Sequence, residues 1–306
     1  PYRCTFCYSE PWADLYRGNG PSFRRKSVSR VIEECQWLRD EEGKPFIAFW
    51  DDIFTLNRKW LKEFAAIYPR EVGLPFFCYF HPSHADEETA RLVADAGCVS
   101  AICGVQSGSE RLRRSVYHRH ESNAEILRAA ELLNPMFDMT WDMILDCPWE
   151  TEEDWRANVE LFLQFPHPFK ITSNHLEYLP GTTITRRALA KGMVRREELP
   201  WNLKDGWDQC DHLQHRRSML QSNYYLLLNI TQHENFSREE IRSWMNNREL
   251  MDRPEKLKLN VALRLLEKMK RMYFLESDRR RKAEQRLNTL NNANRGGATT
   301  TDSRQA

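Results

Sequence analysis

Pro1-Tyr2-Arg3-Cys4-Thr5-Phe6-Cys7-Tyr8 opens the chain, and the reading of its two cysteines decides the fold. A Cys-x-x-Cys pair is by itself ambiguous between a zinc half-site and a redox pair. A structural zinc site needs a second ligand pair. The candidate, Cys210 with His212 and His215, lies far along the chain. A thioredoxin-type pair sits at the start of a helix beside a strand, whereas Pro11, Gly18, Gly20 and Pro21 come next here. A third reading makes both thiolates ligands of an iron–sulfur cluster.

Beyond this stretch the chain alternates. Apolar or aromatic runs predict strands at Phe46–Trp50, Phe76–Phe80, Val99–Val105, Phe137–Leu145 and Phe169–Tyr178. Segments of helical period lie between them. Val31, Ile32, Cys35 and Leu38 share one face of a helix over about Ser27 to Glu42. Thr55 is the expected cap of a helix reaching Tyr68, and Asp86 of another that stops at Gly97. Ser122 with Glu125, and Thr151 with Asp154, have capping-box spacing. A β-α-β-α order at intervals of roughly 30 residues predicts parallel units, in an open doubly wound sheet or a barrel. The leading helix needs a strand before it, and residues 1–26 read as loop, so one strand is expected to be missing.

The last third reads as helical. Ser237 and Glu240 mark one helix start, and Leu259, Leu263, Leu266 and Met269 form a stripe within 255–276. The expected organisation is a barrel region over 1–200, a helical region over 201–277 and a disordered basic tail over 278–306. Lys and Arg number 45 against 44 Asp and Glu, a net charge of +1. The tail holds seven basic and three acidic residues, so the body carries −3. That balance argues against a nucleic-acid module. The short apolar runs exclude a membrane span. Cysteines scattered singly fit a reducing cytoplasm.

Pro-Tyr-Arg-Cys-Thr-Phe-Cys-Tyr resembles the residues after the first cysteine of the Cys-x3-Cys-x2-Cys motif of radical SAM enzymes. A cysteine immediately before Pro1 would complete it, and the motif belongs after the first barrel strand, the strand expected to be missing. The resemblance implies a partial (β/α)6 TIM-type barrel lacking its first strand, with a helical C-terminal region after it. It also implies a [4Fe–4S] cluster that reductively cleaves S-adenosylmethionine to a 5′-deoxyadenosyl radical. Cys4 and Cys7 would be cluster ligands, and Phe6 would pack near the adenine. Phe49-Trp50-Asp51-Asp52 looks like the second-strand motif, placing Asp51 and Asp52 at the methionine amino group. Gly104-Val105-Gln106-Ser107-Gly108 looks like the fourth-strand motif. Gln106 stands where most relatives carry Glu, and with Ser107 it would hold the cofactor.

Asp146-Cys147-Pro148-Trp149-Glu150-Thr151 matches a turn usually written Gly-Leu-Pro-Gly-Glu-Thr. Its two lost glycines imply a different backbone or a reshaped pocket. Cys147 is a packing residue or a reactive thiol or auxiliary ligand. Leu179-Pro180-Gly181-Thr182 matches the sixth-strand end. His81 and His84 are expected to be polar surface residues. Trp50, Trp141, Trp149 and Trp155 are expected in the core or a pocket wall.

The motif wording resembles the subgroup with an upstream cobalamin-binding domain, so methyl transfer with cobalamin is the first expectation for a full-length parent. Partners would be a small-molecule substrate and a reductant such as a flavodoxin or ferredoxin. With two thiolates the chain itself is expected to be inactive. The alternatives are a catalytically inactive binding or scaffold protein on a radical SAM barrel, motivated by Gln106, Asp146 and Trp149, and a zinc-stabilised interaction protein.

Overall fold

The computed structural model describes residues 2–21, 23–199, 217–253 and 255–266. They fall into two compact units, residues 1–254 and 255–306. The predicted boundary at residue 200, the Cys210–His215 segment and the predicted tail lie outside the described residues.

The first unit is built on five parallel strands in sequential order: β1 (Ile47–Ala48), β2 (Phe76–Phe80), β3 (Cys98–Gln106), β4 (Asp138–Leu145) and β5 (Lys170–His175). Curled with helices on the outside, they form a half-barrel of TIM type. Every predicted strand is present. β1 is shorter than predicted, but its pairing continues through Phe49 N–H to Phe77 O, at 2.9 Å. β5 likewise continues through Leu176 N–H to Leu145 O, at 2.9 Å.

The connecting helices obey their start signals. After the short α1 (Ser9–Leu15), α2 (Val28–Asp40) begins at Ser27, whose side chain accepts from Arg30 N–H. The next helix, α3 (Arg58–Glu71), departs from prediction. Asn57 is its cap, and Thr55 is buried in a 3-10 turn over Phe54–Leu56. Asn is among the best capping residues, and its side chain reaches Trp60 N–H here. Asp86 caps α4 (Glu87–Asp95) as predicted. A three-residue helix, α5 (Glu110–Leu112), runs into a π turn over Arg113–Tyr117. Both predicted boxes form, on α6 (Asn123–Leu133) and α7 (Glu152–Phe162). Beyond them lie α8 (Thr183–Ala190), α9 (Met219–Ile230), α10 (Arg238–Asn246) and α11 (Arg248–Met251). Ser237 accepts from Glu240 N–H at the start of α10. In the second unit residues 255–266 are helical. Among the described residues no helix is long and apolar enough to cross a membrane.

Alternate strand residues turn toward the helices and are buried, as in Phe76, Cys78 and Phe80 or Met139, Trp141 and Met143. Burying an aromatic side chain contributes about 1.5–3 kcal/mol. Phe54, Phe64, Tyr68 and Phe76 form one such nucleus, with ring centroids 4.7–5.8 Å apart. Trp141 is fully buried and donates through Nε1 to Asn134 Oδ1 at 2.9 Å. Trp50 is outside the core, 75% exposed at the end of β1, where it forms part of the wall of an open cleft.

Candidate functional site

The cysteine loop is fixed from both sides at the strand ends. Cys7 N–H donates to Cys4 O at 3.1 Å, closing a tight turn around Thr5 and Phe6. Thr5 is fully buried. Its N–H donates to Tyr117 O at 3.1 Å, its hydroxyl to Val116 O at 2.6 Å, and its carbonyl accepts from Ile184 N–H at 2.9 Å. The loop is thereby tied to the π turn after β3 and to the start of α8. Phe6 packs edge-on against Tyr117, at 5.2 Å, beside the cluster that holds Cys147 and Leu176.

Cys4 is buried and Cys7 partly exposed. Burial pushes the Cys4 thiol up, and the Arg119 guanidinium that hydrogen-bonds it pulls the other way. Arg119 is nearly sealed from solvent. Its Nη2 donates to Gly104 O at 2.9 Å and to Glu121 Oε1 at 3.0 Å, and its buried Nε has no partner.

The same Glu121 oxygen lies 2.7 Å from His81 Nε2. His81 is therefore not a surface residue: it is 5% exposed, and Tyr2 stacks on its ring at 4.2 Å. Ser83 N–H donates to His81 Nδ1, which leaves the ring hydrogen on Nε2, the nitrogen beside Glu121. Burial lowers the His81 pKa and keeps the ring neutral at neutral pH. Burial alone would raise Glu121, but the His81 bond and the Arg119 charge outweigh it and bring it to about 2. His84 accepts or donates at Tyr2 Oη, 3.0 Å away.

The remaining candidates divide. Asp51 and Asp52 come directly after β1 and line a cleft of about 580 Å3 together with Tyr8, Ser9 and Arg25. Ser9 Oγ donates to Asp52 Oδ2 at 3.2 Å, which brings the acidic pair against the cysteine loop. Gln106 ends β3 at φ +68°, where the β3–β4 register shifts, and its side-chain amide folds back over Gly104. Ser107 does not join them. Fully buried, its hydroxyl donates to Asn158 Oδ1 at 3.0 Å and accepts from Ser109 N–H at 3.1 Å. Its hydrogen-bonding capacity is committed to seating the β3 turn on α7. Its carbonyl accepts from the buried Arg113.

On β4, opposite Gly104 of β3, stands Asp142, pushed up to about 6 by burial. At the end of β4, Asp146 adopts φ +64°. The left-handed backbone that a glycine would favour is therefore kept, and an aspartate occupies it. Cys147 is buried in the apolar cluster with Leu112, Tyr117 and Ile144, and burial pushes its thiol up to about 12. Among the described residues no group of three His, Cys, Asp or Glu side chains is placed to hold a metal ion.

Sequence reasoning missed Arg119, Glu121 and Asp142. The first two lie on the exit from β3 and have no motif spacing to His81 or Cys4. Only the alternation along β4, which puts Asp142 on the side away from Trp141, carried a signal.

The chain is 24% identical over 197 residues to an uncharacterized methyltransferase of Pyrococcus horikoshii, covering 63% of this chain and 41% of the relative. It is 30% identical over 115 residues to cytidylyl-2-hydroxyethylphosphonate methyltransferase of Streptomyces wedmorensis, covering 37% of this chain and 20% of that protein. The chain thus spans well under half the length of either. Among solved structures it is similar to the radical S-adenosylmethionine methyltransferase TsrM of Kitasatospora setae, with cobalamin and a [4Fe–4S] cluster bound. The TM-score is 0.52 at 20% identity, over 62% of this chain and 37% of that one. The cobalamin-dependent S-adenosylmethionine radical enzyme OxsB matches with a TM-score of 0.52 at 16% identity, over 82% of this chain and 44% of that one. The radical SAM superfamily model matches residues 1–162, more than half of the chain and every strand end from the cysteine loop to the β4 turn. A half-barrel that gathers a Cys-x-x-Cys turn, an acidic pair and Gln106 at its strand ends, and that matches this family along its first 162 residues, belongs to the radical SAM superfamily.

Proposed function

We infer that the chain is the barrel portion of a radical SAM methyltransferase, with Cys4 and Cys7 as two thiolate ligands of a [4Fe–4S] cluster and Asp51, Asp52 and Gln106 as contacts for S-adenosylmethionine. The observation that carries this reading is Arg119. A buried cation with an unpartnered Nε beside the Cys4 thiol suits an anionic sulfur centre. When bound, the cluster supplies the electron that cleaves S-adenosylmethionine.

The chain's own residues hold and shield. Cys4 and Cys7 present two sulfurs from one turn, and Thr5 anchors that turn. Arg119 offsets negative charge at Cys4, while Glu121 and His81 keep the guanidinium in place. Asp51 and Asp52 offer carboxylates to an ammonium group, and Gln106 an amide oxygen to hydroxyls. Phe6 and Tyr117 keep water from the inner side of the loop.

The methyltransferase names of both relatives support methyl transfer, and the two structural neighbours support cobalamin as a cofactor of the whole protein. A small-molecule substrate, a flavodoxin or ferredoxin as reductant and a cytoplasmic setting complete the proposal. The inactive scaffold reading has two observations in its favour: the Ser107 hydroxyl donates to Asn158, and the Gln106 amide lies against Gly104.

Anaerobic reconstitution with iron and sulfide, and then equilibrium dialysis of S-adenosylmethionine, separates the two. Bound iron and sulfide that fall in Cys4→Ala and Cys7→Ala, with Cys147→Ala unchanged, support the enzyme reading. Equal iron in all four proteins would refute it.

A further inference from the structure

Strand alternation sets the inner face of the half-barrel. Phe76, Cys78 and Phe80 on β2 and Met139, Trp141 and Met143 on β4 turn toward the helices, so Phe77, Tyr79, Thr140 and Asp142 turn the other way. Parallel pairing then sets inner residues side by side. Tyr79 stands beside Ile102 of β3, and Asp142 stands between Gly104 of β3 and Thr172 of β5. Gly104 has no side chain and Thr172 is exposed, which leaves the carboxyl group open toward the concave side.

Asp142 has no partner there. Among the described residues its carboxyl oxygens make no hydrogen bond or ion pair, and neither oxygen is sealed from solvent. Burial is the sole cause of its raised pKa, so no nearby cation offsets its charge. Lys170, the basic side chain two positions before Thr172, is bound to Asp138 at 2.6 Å. A half-buried carboxylate without a donor is costly, and a cationic donor completes it.

An aromatic wall stands beside the carboxylate. Burial, and then the Asp142 charge, hold the Tyr79 hydroxyl above its usual range, which marks the two side chains as neighbours. The Trp50 ring lies 5.8 Å from Tyr79 and 6.1 Å from Phe77, and those two lie 5.0 Å apart, centroid to centroid. Trp50 also borders the cleft of Asp51 and Asp52. Aromatic faces are negative and flat, and a carboxylate is fully charged, so together they favour a cation on a flat apolar body.

We propose that this inner face binds an organic ammonium ion of that kind, its charge on Asp142 and its apolar body on Tyr79 and Trp50, and that Asp142 thereby selects the substrate. Calling the ligand a substrate rests on the methyltransferase reading; its binding to the chain does not. The Gln106 amide lies over Gly104, the residue opposite Asp142. A molecule held by Asp142 therefore lies beside the place assigned to S-adenosylmethionine. A neutral analogue would leave the carboxylate unpaired, which is the source of the selection.

The test is calorimetric titration of the full chain, free of iron and S-adenosylmethionine, with phenethylamine and, as a neutral match, phenethyl alcohol. At pH 8 the amine is protonated and Asp142, at about 6, is a carboxylate. The amine is expected to bind at least about tenfold more tightly than the alcohol. Asp142→Asn keeps the shape and removes the charge, and should weaken the amine at least about tenfold while leaving the alcohol unchanged. Trp50→Ala, at an exposed position, should weaken the amine by about threefold. Equal binding of amine and alcohol, or an amine affinity that survives Asp142→Asn in the folded protein, would overturn the proposal. So would a loss confined to Asp51→Asn with Asp52→Asn, which would put the ammonium group in the cleft instead. No cluster takes part, so failure here leaves the cluster reading standing, and failed reconstitution would leave an amine bound at Asp142 in place.

Discussion

His81 Nε2 and Glu121 Oε1 lie 2.7 Å apart with side chains 5% and 4% exposed, a pair 40 positions distant in sequence and closed off beneath the cysteine loop. Removing one partner of such a pair leaves a charge buried and uncompensated, here the Arg119 guanidinium. Glu121→Ala is expected to lower unfolding free energy by about 3–5 kcal/mol, measured by urea denaturation. A loss below about 1 kcal/mol, the range of an exposed pair, would show that the network is solvated.

The same carboxylate sets an acid limit. Its folded pKa, about 2, lies below the ordinary 4.5, so the folded state binds the proton less tightly than the unfolded chain. Its contribution is complete above about pH 4.5 and is lost as the pH falls toward 2. The stability of Glu121→Gln relative to the parent should therefore recover on acidification through that window. A difference constant with pH would count against the assignment.

Glu150 has the opposite sign. Its folded pKa, about 8, lies above the ordinary 4.5 because burial desolvates the carboxyl group. The unfolded chain releases its proton first, so the parent loses stability as pH rises from about 4.5 to 8. Glu150→Gln removes that titration. Thermal melts at pH 5 and pH 8 should show the variant gaining on the parent at the higher pH, by a few kcal/mol at most. A gain at the lower pH would reverse the sign and refute the burial argument.

Gly108 gives a steric prediction. A Cβ there would stand 2.4 Å from Ala157 O and 2.7 Å from Asn158 Cα, both backbone atoms. Backbone cannot swing aside as a side-chain end can, so Gly108→Ala must separate the β3 turn from α7. A loss of about 1–3 kcal/mol is expected, with the folded variant binding S-adenosylmethionine more weakly. Calorimetric melting and dialysis together check it, and an unchanged melting temperature would mean that the turn has room to move.

Gln106→Ala tests the proposed contact of its amide oxygen with hydroxyls of S-adenosylmethionine, with little effect on the core, since the side chain is only partly buried. Loss of one neutral hydrogen-bonding group should weaken S-adenosylmethionine by about 1 kcal/mol, roughly fivefold. Unchanged affinity would remove Gln106 from the site.

The scaffold was readable where a single residue carried its own local physics. Phe76–Phe80 is a continuous apolar run bounded by turn residues, and Ser122 with Glu125 satisfies the orphan amides of a helix start whatever surrounds it. Thr55 and Asn57 show where this stops: both can cap, and packing of Phe54 into the aromatic nucleus turns Thr55 inward and leaves Asn57 to start the helix. The site was half readable. Asp51 and Asp52 announce themselves at a strand end, but Arg119, Glu121 and His81 become neighbours only when two βα units are set side by side. The partner of Ser107 was not legible because a Gly-Ser turn looks the same in sequence whether its hydroxyl faces a ligand or, as here, an adjoining helix.

Thr5 has a consequence for engineering. Through its amide, hydroxyl and carbonyl it joins three segments far apart in sequence: the cysteine loop, the π turn and the first turn of α8. The smallest transplantable piece of this centre is therefore not the cysteine motif but a three-part cassette over residues 2–8, 113–119 and 179–187. A graft that exchanges the motif alone would put a foreign loop on hydrogen bonds cut for this one.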